Sequence, residues 1–142
     1  MDIFRVIVAG SRRFCNYEKL EQSLDKLLSA KAQTHQIEII SGAAQGPDTL
    51  GRAYAINKGH RISLMPAKWD EEGKSAGMKR NERMAAYADV AVVFYDGNSP
   101  GTTHMIKTMV SLGKPIRVIL VDTITQELVK HMNAEEIHAV GR

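Results

Sequence analysis

Apolar residues gather in five short runs, Ile3–Ala9, Ile37–Ile40, Arg61–Met65, Val90–Tyr95 and Ile116–Val121. Within Val6-Ile7-Val8 and Val90-Ala91-Val92-Val93-Phe94 no polar residue alternates with the apolar ones. That pattern fits strands of a parallel sheet covered on both faces. Between the runs the apolar spacing becomes helical. Tyr17, Leu20, Leu24, Leu27 and Leu28 form one such stripe, Leu50, Ala53 and Tyr54 another, and Met105, Met109 and Leu112 a third. The Ala- and Met-rich segment Met78–Ala88 has good helix propensity and supplies a further helix. Strands alternating with single helices predict βαβ units with right-handed crossovers. After the fifth strand, Thr125–Met132 reads as one short helix with Leu128, Val129 and Met132 on one face, followed by a loose tail over the last ten residues.

The chain has 142 residues, of which 44% are hydrophobic and 25% charged, the composition of one globular domain with a real core. No repeat or linker divides it. Nineteen Lys and Arg against 16 Asp and Glu leave a net charge of +3. This falls short of the concentrated charge of a dedicated duplex-DNA binder, and it suits an anionic small ligand held in a local positive pocket. A single cysteine, Cys15, excludes an internal disulfide or a Cys-rich zinc module and fits a reducing compartment. The charges at Asp2 and Arg5 make the N-terminal apolar run a strand rather than a signal peptide. No apolar run reaches the roughly 18 residues of a membrane span. The expectation is a cytoplasmic protein without membrane contact.

Open parallel sheets bind ligands beyond the C-terminal ends of their strands, and the polar, Gly-rich segments fall there. After the first strand, Gly10 permits a tight exit, the Ser11 hydroxyl can donate to a phosphate, and Arg12 and Arg13 offer planar forks for phosphate or carboxylate. Taken alone, this is also an ordinary turn with two solvated arginines. After the second strand, Ser41-Gly42-Ala43-Ala44-Gln45-Gly46-Pro47-Asp48 leads into a helix, where small residues and the helix N-terminus together suit an anion. The plain role of Asp48 is an N-cap. The longest connection, Pro66–Gly77, has the length of a lid or binding loop and holds the only tryptophan, Trp69, which can stack on a base or simply anchor its loop. Arg80 stands near a helix start, where the dipole disfavours a cation, so either an anionic ligand or a carboxylate such as Asp48 or Asp96 is needed beside it. After the fourth strand, Asp96–His104 is a second small-residue loop opening a helix, with Gly101, Thr102 and Thr103 as phosphate donors or as a capped turn.

Other chemistries lack their motifs. The glycines form neither the dinucleotide fingerprint nor the ATPase P-loop. The five histidines, His35, His60, His104, His131 and His138, contain no i,i+4 pair, so no metal site is expected. No G-x-S-x-G elbow is present for Ser-His-Asp hydrolysis.

Gly10-Ser11-Arg12, Ser41–Asp48, Pro66-Ala67-x-Trp69, Ala76-Gly77-x-x-Arg80-Asn81-x-x-Met84 and Gly101-Thr102-x-His104 occur in that order. In this the chain resembles the YspA, cpYpsA-related family of the SLOG superfamily over residues 3–121. The resemblance implies a Rossmann-like, three-layer αβα fold with a five-stranded parallel sheet of order 3-2-1-4-5. It would form one domain over residues 1–142, with the short C-terminal helix and tail from about residue 123. It also implies a nucleotide-type ligand. Relatives of the family include Lonely Guy phosphoribohydrolases and the DNA-processing protein DprA. In the hydrolases a PGGxGTxxE-like loop carries a catalytic glutamate. Here Ser99–Met105 aligns with that loop and Arg80 with the upstream arginine, but His104 and Met105 stand where the acid is expected. No Asp or Glu occurs between Asp96 and Asp122.

Three readings follow. The first is a sensor or carrier that binds a nucleotide or nucleotide derivative through Gly10, Ser11, Arg12, Gly42, Ala43, Gly46, Asp48, Trp69, Arg80, Asn81, Gly101, Thr102, Thr103 and His104. The second is a nucleoside-phosphate hydrolase with His104 or Asp48 as acid–base group and Arg80 beside it. The third is single-stranded nucleic-acid binding, by similarity to DprA. The motifs require no cofactor, though Mg²⁺ can accompany a phosphate ligand. Homo-oligomerisation is implied by the dimeric hydrolase relatives alone.

Overall fold

In the computed structural model, which describes residues 1–43 and 46–141, every expected apolar run is a strand. They are β1 (Asp2–Gly10), β2 (His35–Ser41), β3 (Arg61–Leu64), β4 (Val90–Tyr95) and β5 (Ile116–Val121). All pair in parallel, and the sheet order is β3-β2-β1-β4-β5 with a sixth strand, β6 (Leu128–His131), beyond β5. The fold is therefore the expected Rossmann-like αβα layer structure, with six strands in place of five.

The sheet is buried on both faces because Val6–Ala9 of β1 and the whole of β4 are apolar without alternation. Val6 and Val8 of β1 face Leu20, Leu24 and Leu28 of α1 (Tyr17–Thr34) and Tyr54 and Ala55 of α2 (Pro47–Lys58). Ile7 and Ala9 face the opposite side. There they meet Met84 and Ala85 of α4 (Ala76–Tyr87) and Met105, Ile106 and Met109 of α5 (Pro100–Ser111). Asn16 caps α1 by accepting from the Lys19 N–H at 3.2 Å. Pro47 and Pro100 start α2 and α5 at positions where a missing N–H costs nothing.

The segment after β5 departs from the expectation. Residues 125–132 are not a helix. A turn at Asp122–Glu127 reverses the chain, and β6 pairs antiparallel with β5, Leu120 opposite Lys130 and Ile119 opposite His131. A short pattern of three apolar residues does not outweigh the open edge of β5, whose backbone groups need partners. The expected loose tail is instead a helix, α6 (Ala134–Gly141), with Ile137 buried among the residues of α5. Asn133 and Glu136 form a reciprocal cap, the Glu136 N–H donating to Asn133 Oδ1 at 2.9 Å and the Asn133 N–H to Glu136 Oε1 at 3.1 Å. The Pro66–Gly77 connection is also more ordered than a lid. It contains the one-turn helix α3 (Trp69–Glu72) and a 3₁₀ turn, Gly73–Ser75. No helix among the described residues is long and apolar enough to cross a membrane.

Candidate functional site

The strand order reverses at β1, which has β2 on one side and β4 on the other. Beyond the C-terminal ends of β1 and β4 lies a cleft of about 550 Å³. This is where a doubly wound sheet holds its ligands.

Gly10 makes the first wall. Its φ is +154°, and a Cβ there would lie 2.1 Å from the Phe94 carbonyl oxygen, so only glycine lets β1 leave the sheet this close to β4. The next residue bonds across the gap, Ser11 N–H to Phe94 O at 2.9 Å. The chain then turns, and Arg12 and Arg13 line the cleft. Gly46, at φ +78°, lies against this turn: a Cβ there would sit 2.6 Å from the Arg12 carbonyl oxygen. From α2, buried Asp48 lines the cleft.

The opposite wall comes from α4 and α5. Arg80 donates from Nη1 to the Gly42 carbonyl at 2.7 Å and from Nε to Asn81 Oδ1 at 3.1 Å. Asn81, 6% exposed, donates from Nδ2 to the Gly101 carbonyl at 3.1 Å and lies 3.2 Å from His104 Nδ1. This chain of contacts ties the start of α5 to α4 and to the loop after β2. Met84 and Met105 give the cleft an apolar floor.

Helix α5 opens into the cleft with Pro100, Gly101 and Thr102 on its wall. Its cap residue, Ser99, makes no capping bond to the helix. The Ser99 hydroxyl donates instead to Asp96 Oδ2 at 2.8 Å and approaches Ser11 Oγ at 3.1 Å. A twelve-residue helix thus directs an N-terminus without a side-chain cap at the cleft, where its partial positive charge favours an anion.

Asp96 anchors this loop. Its Oδ1 accepts the N–H groups of Asn98 and Ser99, both at 2.8 Å. Burial pushes the carboxyl up. The backbone N–H groups of Ser99 and Asn98 and the hydroxyls of Ser99 and Ser11 more than offset that and hold it below the usual carboxylate value. Asp96 is therefore an anion over the whole neutral range. With Arg12, Arg13 and Arg80 on its walls against Asp48 and Asp96, the cleft is cationic by composition.

Of the residues expected at the site, Gly10, Arg12, Asp48, Arg80, Asn81, Gly101 and Thr102 line this cleft. The others stand behind or outside it. Ser11 is 1% exposed, and its hydroxyl oxygen receives the Asp96 N–H at 2.9 Å, so it braces two loops rather than facing a ligand. Gly42 and Ala43 act behind Arg80: Gly42 through its carbonyl, and Ala43 through its N–H, which donates to Ser41 Oγ at 3.1 Å. Ala44 and Gln45 of the same motif lie outside the described residues. Thr103 turns its hydroxyl to Ser99 O and Tyr95. His104 faces Asn81, and Trp69, 61% exposed, lies beside Gly77 on the outside of α4; neither is on the cleft wall. Arg13, which the sequence offers beside Arg12 as a fork for phosphate, lines the cleft too, and so do Asp96, Asn98, Ser99 and Thr123, which the sequence reading does not assign to ligand binding. Asp96 had a signal, because it follows β4 directly at the reversal of the sheet. Thr123 had none, since the β5–β6 turn that brings it there was read as the start of a helix. Among the described residues no three His, Cys, Asp or Glu side chains gather to hold a metal.

Comparison with known proteins bears on the family and the fold. The model of the YspA, cpYpsA-related SLOG family (YAcAr) matches residues 4–71. The chain is 30% identical over 118 residues to the Gene 61 protein of Mycobacterium phage D29, covering 79% of this chain and 93% of that protein. The X-ray structure of TM1055 superposes with a TM-score of 0.57 at 20% identity, covering 96% of this chain and 89% of that one, which establishes a shared fold.

Proposed function

Because the chain belongs to the YspA, cpYpsA-related SLOG family, we propose that its cleft binds a nucleotide or a nucleotide-derived ligand and acts as a sensor or carrier. The observation that carries this reading is the start of α5, whose cap hydroxyl is turned away to Asp96 and Ser11 while the helix end faces a cleft lined by Arg12 and Arg80. A phosphate there meets a helix dipole and charge-assisted donors together. Asp48, which repels a phosphate, suits the hydroxyl groups of a ribose. Asn81 is the polar residue placed to fix the register of α5 against the ligand.

Hydrolysis of a nucleoside phosphate is the second reading, and the buried Asp48 carboxylate on the cleft wall is what favours it. N-glycosidic cleavage calls for a positioned carboxylate, and the first turn of α5 supplies none.

The test is a thermal-shift panel on the purified protein with nucleoside mono-, di- and triphosphates, ADP-ribose, NAD and a short single-stranded DNA, each with and without Mg²⁺. A ligand at about 100 times its Kd stabilises the folded state by roughly 2.7 kcal/mol, enough for a shift of several degrees. A selective shift that Arg80→Ala removes supports binding in the cleft. Product analysis on that ligand then separates sensor from hydrolase. No shift with any nucleotide overturns the reading.

A further inference from the structure

The turn between β5 and β6 has an unusual residue at its end. Gln126 holds φ +65°, the left-handed region that glycine occupies most easily. Its side chain bonds within the turn, Nε2 to the Thr123 carbonyl at 2.9 Å, and reaches beyond it. Its Nε2 donates to the Arg13 carbonyl at 2.8 Å, and its Oε1 accepts the Cys15 N–H at 2.8 Å. Its own carbonyl accepts from Asn16 Nδ2 at 2.9 Å. One residue thus bonds to three of the four residues from Arg13 to Asn16, more than 100 residues away in sequence. That segment begins at Arg13 and follows Arg12, two of the three arginines on the cleft wall, and Thr123 of the same turn lines the cleft as well.

We infer that Gln126 is a positioning residue for the Arg12–Arg13 loop, and that the β5–β6 turn is a strap holding those guanidinium groups over the ligand site. This rests on the nucleotide reading of the cleft. In this left-handed conformation both ends of the side-chain amide reach the loop. The turn itself is held by Asp122, whose Oδ1 accepts the Ile124 N–H at 2.8 Å and the Thr125 N–H at 3.0 Å. The Gln126 amide adds its one bond within the turn, to the Thr123 carbonyl, beside its two bonds to the loop.

Gln126→Gly removes the amide while glycine keeps the left-handed backbone and Asp122 still holds the turn, although the amide's bond to the Thr123 carbonyl goes too. The full-length variant is compared with wild type by the rate of tryptic cleavage after Arg12 and Arg13 and by titration with AMP and ATP. Expected are cleavage about tenfold faster and nucleotide affinity about tenfold weaker, the loss of a net hydrogen bond or two. In an Arg12→Ala/Arg13→Ala background the same substitution changes affinity less than about twofold, because its effect passes through the arginines. Unchanged cleavage overturns the inference, as does an equal affinity loss in that background. If wild-type protein binds no nucleotide, the ligand reading falls, and the cleavage rates alone decide whether Gln126 holds the loop.

Discussion

Arg80 crosses from α4 to donate to the backbone carbonyl of Gly42 at 2.7 Å. The contact joins the loop after β2 to the helix that faces it, and a guanidinium has donors left for a ligand once this bond is made. The cleft therefore has a cation held by a backbone carbonyl and the Asn81 amide oxygen.

Arg80→Ala removes both that crossing and a cleft-wall charge. Nucleotide affinity measured by titration calorimetry should fall by about 1.5–3 kcal/mol, the range for a charge-assisted bond. Arg80→Lys should recover only part of it, because an ammonium cannot bond to Gly42, Asn81 and a phosphate with one planar fork. Unchanged affinity in Arg80→Ala would remove this residue from the ligand site.

Ser11 makes the opposite case. Its buried hydroxyl oxygen takes the Asp96 N–H and lies within bonding distance of Ser99. Ser11→Ala should cost about 1–3 kcal/mol of stability in denaturant unfolding, since it strands a buried donor. A stability cost with no change in ligand affinity at saturation of the fold is expected; the reverse outcome would return Ser11 to the ligand.

Lys114 closes the C-terminal end of α4. Its Nζ donates to the carbonyls of Ala85, Ala86 and Ala88 at 2.7, 2.9 and 2.8 Å. A cation there satisfies orphan carbonyls and complements the dipole of the helix that carries Arg80 and Asn81. Lys114→Met should lower stability by about 1–2 kcal/mol, read as a lower midpoint in urea with an unchanged slope.

Stability should fall on the acid side through three carboxylates held below their usual values. Burial pushes Asp96 up, but its loop N–H and hydroxyl donors prevail. Asp122 is held down by the N–H groups of Thr125 and Ile124, and Glu136 by Lys130 and the Asn133 N–H. A depressed carboxyl contributes stability that is fully present above its unfolded value, about 4, and is lost as pH falls through the lower folded value. Unfolding measured between pH 6 and 2 should show this loss below about pH 4, and Asp96→Asn should make the acid slope shallower. A slope unchanged by that substitution would mean that the Asp96 bonds are equally strong to the neutral acid.

The sheet was legible because its central strands must be apolar on both faces, so Val6–Ala9 and Val90–Tyr95 announce themselves without alternation. The cap of α6 was legible too, in the spacing of Asn133 and Glu136, although the sequence reading left that segment as a tail. The site was legible at the level of loops rather than side chains. Arg12, Asp48, Arg80 and Asn81 line the cleft as the loop positions implied, whereas Trp69 and His104 carry suggestive chemistry and face elsewhere. Residue type does not state direction.

Local sequence alone therefore determined the strands, the helices between them and the end of the sheet at which polar loops collect, because these follow from periodicity and glycine placement. Tertiary structure decided the rest. It paired Leu128–His131 with β5, since an open edge gains more from a partner strand than four residues gain from a helical turn. It turned the Ser99 hydroxyl from α5 to Asp96 and Ser11. It brought Gln126 to Arg13 across 113 positions of chain. Each of these depends on which distant donor or acceptor is within about 3 Å, and that is a property of the assembled layers rather than of any one segment.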